Sequence, residues 1–389
     1  MFNTDARVPY WRMSGVYFSY FALVGVLVPF LSLYLQALGY SGYDIGLLTA
    51  TLMVTRMVAP NFWGWLADRH GQRMGWVRRG NLLAFVCFLG IFVSTEFYWL
   101  LWVLFSFSFF WNAVLPQFEV VTLAHLAPNT GRYSLVRQWG SLGFFVAVVC
   151  LGYWFEGERI LTLPVIAAAC LLVIWLSSLK VPEAALNTCG RASRPVRALL
   201  LTPAVWMFLL VALLLQVSHG PYYTFFSMYL AAEGYSGAAT GWLWAISVLA
   251  EIALFLAMHR LLARFSLSGL LVVGALLTAL RWVCIAVFPG YLWVLIAAQL
   301  LHAASFGLTH ALAIEWIRQQ FEGADGQGQA IYSALCFGGG GALGAWLSGV
   351  IWEQSPAATF LMAAIAATLA LALSVCLHRM NKPGVAGLN

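Results

Sequence analysis

The chain has 389 residues, of which 62% are hydrophobic and only 9% are charged. Soluble globular proteins carry about 25% charged residues, so this chain has too little charge to cover the surface of a water-soluble protein of its size. That composition excludes a cytosolic enzyme, a disordered chain and a nucleic-acid-binding protein. In a membrane protein, a net charge of +6 bears first on topology, because cytoplasmic loops carry an excess of Lys and Arg.

Twelve apolar stretches are long enough to cross a bilayer, since a spanning helix needs about 20 residues. The sequence therefore predicts an all-α membrane protein, with a six-helix half at 1–180, a cytoplasmic linker at 181–203 and a second half at 204–389. Sixteen of the 20 Lys and Arg residues are cytoplasmic if both termini are, which predicts that orientation. The spans are expected at 10–38, 42–66, 77–95, 98–126, 133–155, 159–179, 204–232, 238–262, 267–287, 290–317, 328–352 and 357–378.

An internal repeat relates the two predicted halves. A shift of 195 residues places 32–42 on 227–237, with serines, tyrosines and glycines in register. Two halves related by an axis along the membrane normal are typical of major facilitator transporters. The same shift sets Arg56 opposite Glu251. We therefore expect both positions to line a central cavity.

The second span is followed by a charged glycine-containing segment. It resembles the major facilitator loop motif G-x-L-a-D-r-x-G-r-[RK], and Asp68 in it is suited to cap a helix and to pair with a cation. The resemblance implies a gating latch between inward and outward states, not a substrate site. The residues that match the motif are Gly64, Asp68, Arg69, Gly71 and Arg73.

Ionisable side chains inside spans are costly in hydrocarbon, so they tend to be paired and functional. With a rise of about 1.5 Å per residue, Glu119 and Arg137 are predicted at matching depth on neighbouring helices, and so are Glu251 and Arg281. We expect one carboxylate–guanidinium pair in each half, either functional or locking two helices. Arg56 is expected to contact an anionic substrate or to pair with Glu251.

Two histidines, His219 and His302, are also predicted deep within spans. Imidazole titrates near neutral pH and suits a proton relay, while a hydrogen-bonded structural histidine is the alternative. His310 lies further along the tenth span and is given a lower rank. The sequence shows no metal-ligand spacing and no nucleophile with a base, so we expect no metal, no cofactor and no enzymatic activity.

The residues around these charges resemble the lactose permease-like and 3-phenylpropionate transporter branch of the major facilitator superfamily, over most of the chain. The resemblance rests on Glu119 with 137–141, and on 216–223, 281–282, 301–302 and 331–334. It implies a proton-driven importer in a bacterial inner membrane that works by alternating access. We expect a monomer whose partners are a small-molecule substrate, protons and membrane lipids.

By this resemblance, Glu119 and Arg137 bind substrate. The resemblance and the two histidines predicted deep within spans together assign proton coupling to four residues of the second half: Glu251, Arg281, His302 and His219. The sequence departs from lactose permease at Ser305, where that family has a proton-carrying carboxylate. We therefore assign the proton to Glu251 or to Glu119.

The additional Arg56 favours an aromatic or other small organic monoanion such as 3-phenylpropionate. Trp139 and Tyr223 lie near the charged positions and could stack on a ring. A galactoside-type sugar is the alternative, because sugars also stack on tryptophan and bond to carboxylates and guanidinium groups. A drug/proton antiporter is less favoured, since the fifth span contains no proline between Leu142 and Tyr153.

Overall fold

The computed structural model describes residues 8–127, 129–184, 199–200 and 202–380. Within these ranges, twelve helices are long and apolar enough to cross a membrane, which confirms the predicted fold class. They are α1 (Tyr10–Ala37), α2 (Gly42–His70), α3 (Arg73–Phe92), α4 (Phe97–Leu126), α5 (Tyr133–Trp154), α6 (Gly157–Leu179), α7 (Pro203–Ala232), α8 (Gly237–Arg264), α9 (Leu267–Val287), α10 (Leu292–Gln320), α11 (Asp325–Trp352) and α12 (Pro356–Met380).

The joint between α2 and α3 is tighter than the sequence predicted. The expected ends were residues 66 and 77, but α2 continues to His70 and α3 begins at Arg73. Only Gly71 and Gln72 separate them, and Gly71 has a φ of +68°, which a residue without Cβ adopts easily. The apolar pattern ended too early because polar residues carry both helices beyond the hydrocarbon.

The chain divides into two compact units. The first comprises Met1–Gly39 and Thr55–Cys189, and the second comprises Tyr40–Val54 and Gly190–Asn389. The start of α2 belongs to the second unit because its backbone packs on α11: a Cβ added to Gly46 would lie 2.7 Å from the Cα of Gly349. Most of the predicted linker, namely 185–198 and 201, lies outside the described residues.

The two units share one packing pattern. In the first unit, α1 packs on α5 and α6, and α3 packs on α4 and α6. In the second unit, α7 packs on α11 and α12, and α9 packs on α10 and α12, so each contact recurs six helices later. The turns match as well: Gly39 has a φ of +88° and Gly234, 195 residues on, has a φ of +83°. The predicted pseudo-symmetry of the two halves is confirmed.

Small residues bring α7 and α11 to backbone contact within the second unit. A Cβ added to Gly344 would lie 2.4 Å from the carbonyl oxygen of Val217, and one added to Gly220 would lie 2.2 Å from the carbonyl carbon of Gly344. Helices in hydrocarbon associate by close packing, for which small residues are required. The glycine-rich stretch of α11 therefore serves as a packing surface.

Two helices of the second unit contain π-helical segments. They are Ala303–Leu308 in α10 and Ser333–Gly340 in α11. The first begins directly after His302, and the second includes most of the glycine run of α11. Such segments are rare in helices and are frequently found at functional sites.

We expect Gly344→Ala to destabilise the protein, because its methyl group would meet backbone atoms of α7 and force the helices apart. Overpacking of this kind costs about 1–3 kcal/mol. The measurement is thermal unfolding of the purified protein in detergent, followed by circular dichroism. Gly15→Ala is the matched control, since a Cβ there has nothing within 4 Å. Equal unfolding temperatures for the two variants would contradict this account of the contact.

Candidate functional site

The charged residues of the first unit do not form the direct ion pair that was predicted. Glu119 on α4 accepts a hydrogen bond of 3.1 Å from the hydroxyl of Tyr133. The guanidinium of Arg137 on α5 instead lies 3.9 Å from the ring centroid of Phe21 and 5.7 Å from that of Tyr17. Carboxylate and guanidinium still interact electrostatically, but beyond ion-pair distance. Tyr133 lies one helical turn before Arg137, and its hydroxyl takes the carboxylate contact.

Arg56 is part of a buried polar network between α2 and α4. Its Nε donates a hydrogen bond of 3.3 Å to Oδ1 of Asn112. The Asn112 amide donates to Thr55 at 2.8 Å, and the Thr55 hydroxyl donates to Ser108 at 2.9 Å. These bonds fix the guanidinium on this pair of helices. The sequence did not predict Asn112 as its partner, and the alternative pairing with Glu251 stays a prediction.

Trp139 lies near the start of α1. Its indole N–H donates to the hydroxyl of Tyr10 at 2.9 Å, and its ring centroid lies 5.5 Å from that of Trp11. Arg137, two residues earlier, contacts a part of α1 that is two to three turns further along. The role of Trp139 in stacking on a substrate stays a prediction.

In the second unit, Glu251 on α8 pairs with a histidine. Nε2 of His302 on α10 lies 3.3 Å from a carboxylate oxygen of Glu251. The predicted partner was Arg281, chosen from its depth along α9. Depth gives the height of a side chain in the membrane but not the direction in which it points. The structure therefore joins two of the predicted coupling residues in an arrangement that the sequence had not specified.

Arg281 is fully buried and directs its guanidinium to neutral acceptors. It donates hydrogen bonds to the carbonyl oxygen of Ala298 at 2.9 Å, to the hydroxyl of Ser305 at 3.1 Å and to the side-chain carbonyl of Gln299 at 3.3 Å. Ser305 is the position where the resemblance would have placed a carboxylate. The guanidinium also lies 4.2 and 4.3 Å from the centroids of two aromatic rings, those of Tyr222 and Trp282.

Two buried imidazoles contribute free nitrogen atoms to the same cluster. Nδ1 of His219 bonds to the carbonyl oxygen of Leu215 at 2.7 Å, and its Nε2 makes no hydrogen bond to a described residue. Nδ1 of His302 is also buried without such a bond. The two rings lie 6.1 Å apart, and Tyr223 stacks on His219 at 5.9 Å. Both nitrogens are available to a proton or to a small polar ligand.

A stacked column of rings extends from this cluster along α10. His302 stacks on Phe306 at 5.5 Å, Phe306 on His310 at 6.0 Å, and His310 on Tyr332 of α11 at 6.0 Å. The Tyr332 hydroxyl lies 3.3 Å from Nδ1 of His310. His219 and His310 both line one narrow cleft of the second unit. The sequence analysis ranked His310 lower, and its place in this column of rings was not predicted.

The loop motif forms an ionic cluster in the first unit. Asp68 pairs with Arg73, which also donates to the side-chain carbonyl of Gln117 on α4. Gly64 lies beneath this contact, since a Cβ there would be 3.3 Å from the Gln117 amide nitrogen. The guanidinium of Arg69 lies over an indole ring instead of an acid. The motif thus connects the ends of α2, α3 and α4.

A carboxylate that the sequence analysis missed completes this cluster. Both oxygens of Glu183, which follows α6, accept from the backbone N–H of Met74 in the first turn of α3, at 3.1 and 3.0 Å. An anion is favoured at a helix N-terminus by the unpaired N–H groups and the helix dipole. Arg78 donates to the carbonyl oxygen of Val181 at 2.7 Å, which holds the same segment. Glu183 could not be found from hydropathy, because it lies outside the spans.

Among the described residues, no group of three His, Cys, Asp or Glu side chains could hold a metal ion. The functional groups that stand out are arginines, carboxylates, imidazoles and aromatic rings, and they lie within helices that are long and apolar enough to span a bilayer. Intramembrane ionisable groups of this kind mark the pathways of substrates, ions or protons.

Known proteins resemble this chain over nearly its full length. The sequence model of the MFS_1-like family matches residues 10–362. A probable 3-phenylpropionic acid transporter of Escherichia coli (strain K12) is 27% identical over 366 residues, which cover 93% of this chain and 96% of the relative. The maltose permease of Geobacillus stearothermophilus is 28% identical over 338 residues, covering 85% of this chain and 83% of that protein.

Solved structures show the same fold. The crystal structure of the nucleoside transporter NupG superposes with a TM-score of 0.80 at 18% identity, over 96% of this chain and 99% of that one. A variant of NupG gives a TM-score of 0.84 at 17% identity, over 96% and 100%. With the family match covering most of the chain, we conclude that this protein belongs to the MFS_1-like family of the major facilitator superfamily and is a multi-pass membrane transporter, not an enzyme.

Proposed function

We propose that this transporter imports a small organic monoanion, an aromatic carboxylate of the 3-phenylpropionate kind, together with protons. The observation that carries the proposal is Arg137, whose guanidinium lies over Phe21 with no carboxylate at ion-pair distance among the described residues. A guanidinium binds a carboxylate with two parallel hydrogen bonds, and the adjacent phenyl ring offers apolar surface to an aromatic group. The relative described as a probable 3-phenylpropionic acid transporter supports the same substrate class.

Proton coupling is assigned to the pair of Glu251 and His302. Carboxylate and imidazole can each take up and release a proton, and their closest atoms are 3.3 Å apart. Arg281 and His219 belong to the same cluster and would set the field in which the proton moves. Arg281 donates its hydrogen bonds to neutral acceptors, so the carboxylate of Glu251 pairs with His302 instead.

The remaining parts of the proposal concern the setting of transport. The distribution of Lys and Arg supports cytoplasmic termini, and the bacterial relatives support a bacterial inner membrane. We propose a monomer that needs no cofactor, with the proton gradient as the driving force for alternating access. The cluster of Asp68 and Arg73 would act as the latch between the two states.

A sugar is the second candidate substrate. Glu119 accepts from the Tyr133 hydroxyl at 3.1 Å, and the same carboxylate could bond the hydroxyl groups of a sugar. The maltose permease relative supports this class. The two candidates differ in what Arg137 does, because an anionic substrate needs its charge and a neutral sugar needs only its N–H donors.

The first test is uptake into proteoliposomes under an imposed pH gradient, comparing labelled 3-phenylpropionate with labelled maltose and a galactoside. We expect carboxylate uptake in the wild type, a loss of at least tenfold in Arg137→Gln, and partial activity in Arg137→Lys, which keeps the charge. Arg159→Gln is the control, since Arg159 also lies over an aromatic ring, 5.6 Å from the centroid of Trp154, outside the cluster. Uptake of sugar alone would replace the carboxylate by the second candidate.

The second test separates proton coupling from substrate binding. Glu251→Gln cannot release a proton, so we expect uptake driven by a pH gradient to be lost while exchange of internal for external substrate continues. Glu315→Gln is the control, because Glu315 pairs with Arg318 at the end of α10, away from His302. Wild-type dependence of uptake on external pH in Glu251→Gln would remove Glu251 from the coupling mechanism.

The third test concerns the latch. The Asp68 side chain is 65% exposed, so its pair with Arg73 contributes only about 0–1 kcal/mol to stability. We expect Asp68→Asn to unfold at nearly the wild-type temperature and to bind substrate with similar affinity, while the transport rate falls severalfold. Glu96→Gln, at the start of α4, serves as the control. An unchanged transport rate would show that the pair is not a latch.

A further inference from the structure

A basic pocket lies at the joint of α2 and α3, where the loop motif ends, and none of the residues assigned to substrate or proton lines it. It contains about 460 Å³ of empty space, part of it open to solvent. No acidic residue lines it. Its lining consists of His70, Gln72, Gly75, Trp76 and Arg79.

Two arginines near this pocket are held by aromatic rings. The guanidinium of Arg79 lies 5.0 Å from the ring centroid of Trp76, and that of Arg69 lies 5.7 Å from the centroid of Trp65. Neither arginine forms an ion pair within 4.0 Å with any residue that the structure describes. Their positive charges are therefore not neutralised by protein carboxylates.

The other charged groups of this joint are already engaged. Asp68 pairs with Arg73, and Arg78 donates to the carbonyl oxygen of Val181. Glu183 is bonded to the backbone N–H of Met74. Asp68 and Glu183 are thus committed to the ionic cluster, and the pocket, which no carboxylate lines, keeps a net positive charge.

The position of the pocket indicates the source of an anion. It lies where two membrane-spanning helices end, which is where tryptophan and arginine side chains meet lipid headgroups. Apolar side chains of α2 in the turns before the pocket are exposed: Val58 is 58% exposed and Trp65 is 57% exposed. A phosphate attached to acyl chains fits both the charge and this adjoining apolar surface.

We propose that this pocket binds the headgroup phosphate of an anionic phospholipid. Arg79 supplies guanidinium donors, Gln72 an amide donor and Trp76 an indole N–H, while the acyl chains follow the exposed apolar face of α2. Basic pockets between membrane helices at the headgroup level bind acidic lipids by these contacts. The site is independent of the transported substrate and of the proton.

The test measures lipid binding to the purified full-length chain by native mass spectrometry. Phosphatidylglycerol and phosphatidylcholine with identical acyl chains are titrated in parallel. We expect a preference for phosphatidylglycerol, reduced about fivefold in Arg79→Gln, the change that corresponds to losing about 1 kcal/mol per basic residue near the surface. Arg159→Gln should bind as the wild type does, because Arg159 also covers a tryptophan ring but does not line this pocket.

A second variant keeps the test decisive if Arg79→Gln folds poorly. Gln72→Glu adds a negative charge to the lining and should weaken phosphatidylglycerol binding while leaving phosphatidylcholine binding unchanged. Equal binding of the two lipids to the wild type, or equal losses in Arg79→Gln and Arg159→Gln, would overturn the proposal. Inorganic phosphate that binds as tightly as phosphatidylglycerol and displaces it would also overturn it, in favour of a site for free anions.

Discussion

The structure depends on one constraint, which is that charges inside hydrocarbon must find their partners within the protein. Arg281 shows the constraint in its strongest form, because it is fully buried and reaches no carboxylate through its described hydrogen bonds. Three neutral oxygens and two aromatic faces stabilise it instead. Ser305 supplies one of these three oxygens, and the Glu251 carboxylate pairs with His302.

The first unit meets the same constraint differently. Arg137 relies on the faces of Phe21 and Tyr17, contacts that are worth about 0.5–2 kcal/mol and leave its charge available to an anion. The two units therefore share one packing pattern but not one electrostatic arrangement. Under the proposed function, a common scaffold with different polar contents would let one unit recognise an anion and the other handle a proton.

The fold was largely predictable, since spans follow from hydropathy and the repeat from the matching turns at Gly39 and Gly234. Site partners were less predictable. A rise per residue gives the depth of a side chain but not its direction, so neither predicted carboxylate–arginine pair forms: Glu119 accepts a hydrogen bond from Tyr133, and Glu251 pairs with His302. Glu183 and Asn112 were missed because hydropathy is silent on polar residues outside spans and on neutral ones within them. His310 was ranked low because its contact with Tyr332 of α11 depends on the packing of two helices, which position in a single span does not reveal.

The π-helical segment of α10 also alters how its sequence can be compared with others. A π turn accommodates about one more residue than an α turn, so the residues after Leu308 are rotated by about 100° relative to an uninterrupted α-helix. A helical wheel drawn through the whole of α10 would therefore assign Thr309 and the residues beyond it to the wrong face. Transporters that lack this segment would need a one-residue gap to match in space, so homologous functional positions in α10 are better assigned by superposition than by ungapped alignment.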